Sequence, residues 1–270
     1  MAITKKEVIT EVYELCTKNN DMIFDNDTVK RILKRHNSKT NPYDMTKLDD
    51  LSTFPEILIN NDFFIAHIGK GKHQFVKGIK NVFHDFEKIK KEECIVWPYR
   101  PSILNDFSVS ESSILSLCFN QRIIHDFLYL DIAANPKIYN SERKRGITFE
   151  YSINGNTFNF EGLQIEIDLT TELSGKVTVF EGKNTKNPNN WLDNFNIYQL
   201  YNPFRYYYDL KKSEHLSIKE IDVCYLVRQK KEDGSNIRLY KYTFADYKDI
   251  TSIQLLKKRE YRLMRRDFDE

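Results

Sequence analysis

The sequence predicts an α/β fold: a mixed central sheet flanked by helices over residues 101–270, preceded over residues 1–100 by a smaller module of helices and one hairpin. Three observations predict it. Apolar residues recur at helical spacing over residues 4–36, and period-two runs bounded by Gly and Asn fill residues 148–180. Helical patterns near 111–130 and 190–210 bracket those runs on both sides.

Composition agrees. The 270 residues are 40% hydrophobic and 30% charged, with 9 Gly and 7 Pro, which excludes disordered, collagen-like and coiled-coil classes. No run approaches the roughly eighteen apolar residues of a membrane span, and residues 1–6 lead into an amphipathic pattern rather than an apolar signal core. A soluble, cytoplasmic chain with no membrane partner is expected. With 41 basic and 39 acidic residues the net charge is +2, so any surface for a polyanion must be local. Cysteines 16, 94, 118 and 224 form no CxxC clamp, and the six histidines lack ligand spacing, so free thiols and no structural zinc are expected.

Thr4 suits the cap of a first helix bearing Val8, Ile9, Val12, Tyr13 and Cys16, and Asn26 or Asp27 starts a second helix that runs to about His36. On that second helix Val29, Ile32 and Leu33 form the apolar stripe, leaving Lys30, Arg31, Lys34 and Arg35 outside as a solvated face or a phosphate-contacting one. A third helix, interrupted near Pro55, falls between residues 44 and 60. Strands over 62–68 and 73–76 then flank Gly69-Lys70-Gly71-Lys72, a glycine-bearing hairpin tip. Helices followed by a basic hairpin suggest a winged-helix-like module. Between residues 64 and 91 seven lysines face only Asp85 and Glu87, which places a candidate DNA-backbone contact at Lys70, Lys72 and Lys77.

In the second part the apolar residues of 110–130 suit one long buried helix. Residues 148–153 and 157–160 flank Asn154-Gly155-Asn156 as a hairpin, and strands come next over 163–169 and 176–180. A helix is expected over 190–210 and a strand pair over 220–229 and 238–244. The charged last twenty residues read as helical.

The chemistry lies on the two strands at 163–169 and 176–180. Glu166 and Asp168 are two residues apart and so share a face, as do Glu181 and Lys183 on the next strand. Antiparallel neighbours then present carboxylate, carboxylate and ammonium to one small volume. Carboxylate oxygens suit Mg²⁺, which can acidify a water and neutralise a phosphodiester, while a lysine beside it assists proton removal or steadies developing charge. The triplet acid-x-Lys also occurs at Glu142, Asp209 and Asp246, but only Glu181 comes after an apolar strand with an aspartate thirteen residues upstream across a tight turn. A surface salt-bridge cluster is the alternative.

Asp168, the turn and Glu181-Gly182-Lys183 resemble the PD-(D/E)XK nuclease signature shared by type II restriction endonucleases, Holliday-junction resolvases and repair nucleases. The segment containing Gln199-Leu200-Tyr201 and Pro203-Phe204-Arg205 resembles that of a group of type II restriction enzymes. The resemblance covers roughly residues 110–210. Ile167 stands where the signature has proline, which leaves Glu166 as a rival to Asp168. The resemblance implies a restriction-endonuclease-like sheet, with Asp168, Glu181 and the Gly182 carbonyl as Mg²⁺ ligands and Lys183 orienting the water. It also implies Glu111 as an acidic residue near the metal, and Gln199 and Arg205 reaching the site or a phosphate. Glu111 reads equally as a helix N-terminal carboxylate, Gln199 as a buried amide and Arg205 as a surface pair. The implied function is Mg²⁺-dependent, sequence-specific hydrolysis of double-stranded DNA. Because a double-strand break needs two such sites, the implied assembly is a homodimer. A structure-specific resolvase, or a catalytically silent winged-helix DNA-binding protein, is the rival.

Overall fold

The computed structural model describes residues 3–48, 50–98, 111–153, 155–185, 189–213, 216–231 and 234–264, without the side chains of Glu111 and Ser112. Helix α1 (Lys5–Asn19) starts where Thr4 and Glu7 cap each other's backbone amides, and it buries Val8, Ile9, Val12, Tyr13 and Cys16. Strand β1 (Ile23–Asp25) leads directly into α2 (Asn26–Arg35), whose first free amides are capped by Asp25. Next come the short helices α3 (Pro42–Thr46) and α4 (Glu56–Asn60), then the hairpin of β2 (Phe63–Gly69) and β3 (Lys72–Lys77). β3 pairs with both β2 and β1, and Phe75 stacks on Phe24 at 4.8 Å and meets Tyr13 edge-on at 5.1 Å.

Beneath this hairpin His73 Nδ1 lies 2.8 Å from His67 Nδ1, while His73 Nε2 lies 2.8 Å from Asn26 Oδ1. One Nδ1 must donate and the other accept, so at most one of the two rings can carry a charge. Burial pushes His67 down to about 3 and His73 down to about 4.

The chain then enters its larger part earlier than residue 100. Strand β4 (Phe83–Asp85) pairs with β9 (Asn194–Asn196), and β5 (Cys94–Trp97) adds to the far edge of the main sheet. Helices α5 (Glu111–Asn120) and α6 (Ile123–Tyr129) replace the single long helix expected there. Arg122 between them takes a left-handed backbone (φ +61), and the Gln121 carbonyl accepts the Trp97 indole N–H at 2.7 Å. Strands β6 (Lys137–Ile153), β7 (Asn156–Leu173) and β8 (Lys176–Asn184) form an antiparallel meander. Helix α7 (Tyr198–Ser213) starts later than predicted because residues 194–196 are spent on β9. Strand β10 (Glu220–Lys231) lies parallel to β8, and β11 (Gly234–Phe244) and β12 (Ile253–Met264) complete the sheet.

β12 corrects the helix expected at the C-terminal end. Its charges hide a period of two: Lys257 bonds the Phe127 carbonyl, while Arg259 and Tyr261 both reach Asp126 on α6 and Leu263 is buried.

The sheet order is β1-β3-β2-β7-β8-β10-β11-β12-β5, with β6 on β7, and parallel and antiparallel pairs mix in it. The α/β class with a mixed sheet flanked by helices is therefore met. α5 and α6 cover one face through Leu169, Phe180, Leu226 and Leu239, whereas α7 and the first module share one continuous core on the other. Among the described residues no helix is long and apolar enough to cross a membrane.

The edges of β7 are used unequally. β6 runs along one edge; the other is divided, β8 pairing over 169–173 and β2 at Glu161. Gly69 makes the second junction possible, since a Cβ there would lie 1.9 Å from the Glu161 carbonyl oxygen.

Arg205 is also corrected. It is 6% exposed rather than free for phosphate. Its guanidinium bonds Asp209 at 2.9 Å and the Glu150 and Tyr247 carbonyls at 2.7 and 3.2 Å, and lies over the rings of Phe149 and Tyr247. Sequence shows the guanidinium but not the two distant carbonyls that claim it.

Two outcomes are expected. Arg205→Ala should lose about 2–4 kcal/mol of stability in urea unfolding; wild-type stability in this variant would contradict the role of Arg205 as a structural pin. Because the folded histidine pair holds its pKa values below the usual 6.5, the unfolded chain takes protons that the fold refuses. Stability from this pair should be level above about pH 7 and fall from about 6.5 toward 4, and NMR should find His73 neutral at pH 5.5. An imidazolium signal from His73 at that pH contradicts this account.

Candidate active site

The site begins where β7 and β8 part. Their ladder ends at Leu169 paired with Phe180, and one residue further Asp168 Oδ2 accepts the Gly182 amide at 3.0 Å. The carboxylate thus takes over an amide that the diverging backbone of β7 no longer serves. Glu181 and Lys183 prolong the row of Val177 and Val179 that faces α7, whereas Phe180 points into the core under α5. Lys183 Nζ lies 2.9 Å from Glu181 Oε1, and the two side chains are 25% and 12% exposed.

Gln199, in the first turn of α7, donates from Nε2 to the same Glu181 oxygen at 2.8 Å. Its own Oε1 accepts the Tyr225 hydroxyl at 3.2 Å, and Tyr225 stands in register with Glu181 on β10. A strand, a helix and a neighbouring strand together fix one carboxylate oxygen.

Asp168, Glu181, Lys183 and Gln199 line a cleft of about 210 Å³. It opens between the two junctions of β7, so its opposite wall comes from the first module: Tyr43, Thr46, Lys47, Phe64 and His67. Asn202, one turn beyond Gln199, also lines it, and its Oδ1 is buried without a hydrogen-bond partner among the described residues. Glu166, the rival on β7, is exposed at the mouth and its carboxylate pairs with Arg143 on β6 at 3.0 Å. Of the two β7 acids, Asp168 is the one that contacts β8. Glu111 begins α5, but its side chain lies outside the described residues.

The donor set fits a hard cation held in part by water. Among the described residues no group of three or more His, Cys, Asp or Glu is placed to hold a metal, so the cleft offers the carboxylates of Asp168 and Glu181 rather than a closed cage, while Gly182, whose carbonyl the resemblance implies as a further ligand, is buried and does not line it. Mg²⁺ is the ion that this suits, because it keeps several waters and binds through one or two carboxylates plus substrate phosphate.

The predicted DNA-contacting bases are not gathered at the cleft. Lys70 pairs with Glu161, Lys77 lies over the Phe63 ring at 5.6 Å, and Lys72 is exposed opposite Asp25 on β1. Arg31, which bonds Thr28 at 3.0 Å, and Lys34 border a separate depression between α1 and α2 that shares no residue with the cleft. No local pattern in the sequence marks Tyr225 or Asn202. Tyr43 and Lys47 carry a weak one, four residues apart about a short helix.

Residues 5–75 match the model of a domain of unknown function, DUF6996, and residues 78–262 that of a second, DUF6997. The two meet just after β3, where the structure also changes partner. Comparison with curated proteins and with solved structures finds no match. The match to DUF6997 spans more than half of the chain, including β7, β8, β10 and α7, and the chain belongs to that family.

Proposed function

We propose that the chain is a Mg²⁺-dependent DNA endonuclease of the type II restriction kind, with a restriction-endonuclease-like PD-(D/E)XK core and a winged-helix-like first module. One observation carries the reading: Asp168, Glu181 and Lys183, far from unique as sequence motifs, stand on adjacent strands around one cleft, and Gln199 completes the group. A surface salt-bridge cluster needs neither an enclosing second wall nor a half-buried amide behind its carboxylate. The strand order β1-β3-β2 beneath α1 and α2 supports the winged-helix part, since the hairpin returns to pair with the strand between those helices.

Asp168 and Glu181 would hold the ion. When bound, Mg²⁺ supplies an acidified water and neutralises charge on the phosphodiester. Lys183 then sits where its ammonium can orient the attacking water or steady the charge that develops on phosphate. Gln199 keeps Glu181 Oε1 directed into the cleft, and Tyr225 keeps Gln199 from turning away. The cleft walls limit competing solvent.

One such site cuts one strand. A twofold pair of chains on double-stranded DNA would supply two sites in opposite polarity and make the recognised sequence palindromic.

Purified chain, Mg²⁺ and a defined plasmid test the reading. Discrete fragments are expected. Alanine at Asp168, Glu181 or Lys183 should reduce cleavage on the order of 10²-fold or more, while the melting temperature and DNA binding in Ca²⁺ stay close to wild type. Full cleavage by Glu181→Ala would remove the assignment.

A further inference from the structure

The hairpin tip, the obvious basic feature of the first module, is engaged elsewhere. Gly69 is packed backbone to backbone on Glu161 of β7, and Lys70 is paired with the Glu161 carboxylate. What the first module turns toward the catalytic carboxylates is the segment around α3. Tyr43, Thr46 and Lys47 line the cleft opposite Asp168 and Glu181. This segment is anchored from behind: Met45 and Thr46 are buried, Thr46 Oγ1 bonds the Tyr43 carbonyl at 3.0 Å, and Lys5 Nζ holds the Lys47 carbonyl at 2.8 Å. Tyr43 is 45% exposed and Lys47 is exposed, so the two outward side chains are an aromatic ring and an ammonium. Lys47 and His67 line the same cleft.

The charge balance asks for such a group. Asp168 and Glu181 bring two negative charges to a wall that contains one lysine, and a DNA strand adds a phosphate per nucleotide. A bound Mg²⁺ attends to the reacting phosphate, whereas flanking phosphates need cations of their own.

Resting on the nuclease reading, we infer that the first module meets the cut strand through Lys47 and Tyr43, with Lys47 holding a backbone phosphate next to the scissile one and Tyr43 packing on the adjoining sugar or base. Lys47 is thus a positioning residue for the reaction, and the hairpin tip serves to dock the module. Two walls, one from each family domain, then enclose the strand.

The test uses the full chain and a labelled mixed-sequence duplex in Ca²⁺, with affinity followed against salt, alongside Mg²⁺-dependent nicking of supercoiled plasmid. Lys47→Gln should lower the slope of log affinity against log salt by about one unit and weaken binding several-fold, and Lys47→Arg should restore both. Lys70→Gln should change the slope less, because Lys70 does not line the cleft. Tyr43→Ala should weaken binding without changing the slope. A wild-type slope and wild-type nicking in Lys47→Gln, with Asp168→Ala inactive, would overturn this inference and leave the nuclease reading standing. Nicking by Asp168→Ala at the wild-type rate would overturn both.

Discussion

The divided edge of β7 is the constraint on which the rest of the molecule depends. A strand of this length could run beside one partner throughout; here β8 holds one end of the edge and β2 the other. Between them backbone groups lose their ladder, a cleft opens, and polar side chains take up what the ladder leaves. Asp168 is placed by that loss, because the amide it accepts belongs to β8 just beyond the divergence. The same geometry explains why the two modules share one core, and why a glycine with φ +92 stands at Gly69.

Rigidity at the site comes from what stands behind it. Glu181 is held by Lys183 from its own strand and by Gln199 from α7, and Gln199 is held by Tyr225 from the parallel strand beyond. α7 is in turn tied to β6 and to the Tyr247 carbonyl by Arg205. Removal of Arg205 would therefore be felt first as lost stability and only through it at the carboxylates. A buried guanidinium with carbonyl, carboxylate and ring partners is a structural pin.

Much of this is legible in the sequence, and the parts that are not share a cause. Helices α1 and α2 are visible because their caps and apolar stripes are local, and the β2–β3 hairpin because glycines mark its tip. Asp168, Glu181 and Lys183 are legible because a period of two and one tight turn suffice to bring them together. β12 is hidden because Lys257 and Arg259 occupy inward positions that only their partners on α6 make acceptable. The role of Arg205 depends on carbonyls 42 and 55 residues away in the chain. Nothing local announces that β2 meets β7 at Glu161, so the second wall, with Tyr43, Lys47 and His67, could not be anticipated.

The central claim is that Asp168 and Glu181 form a cation site at the point where β7 and β8 part. Crystals of the chain equilibrated with Mn²⁺ in place of Mg²⁺ test it directly, since manganese can be located by its anomalous scattering. The predicted result is a peak bounded by the carboxylates of Asp168 and Glu181, and lost in Asp168→Asn. Manganese bound elsewhere, or the same peak persisting in Asp168→Asn, would contradict it.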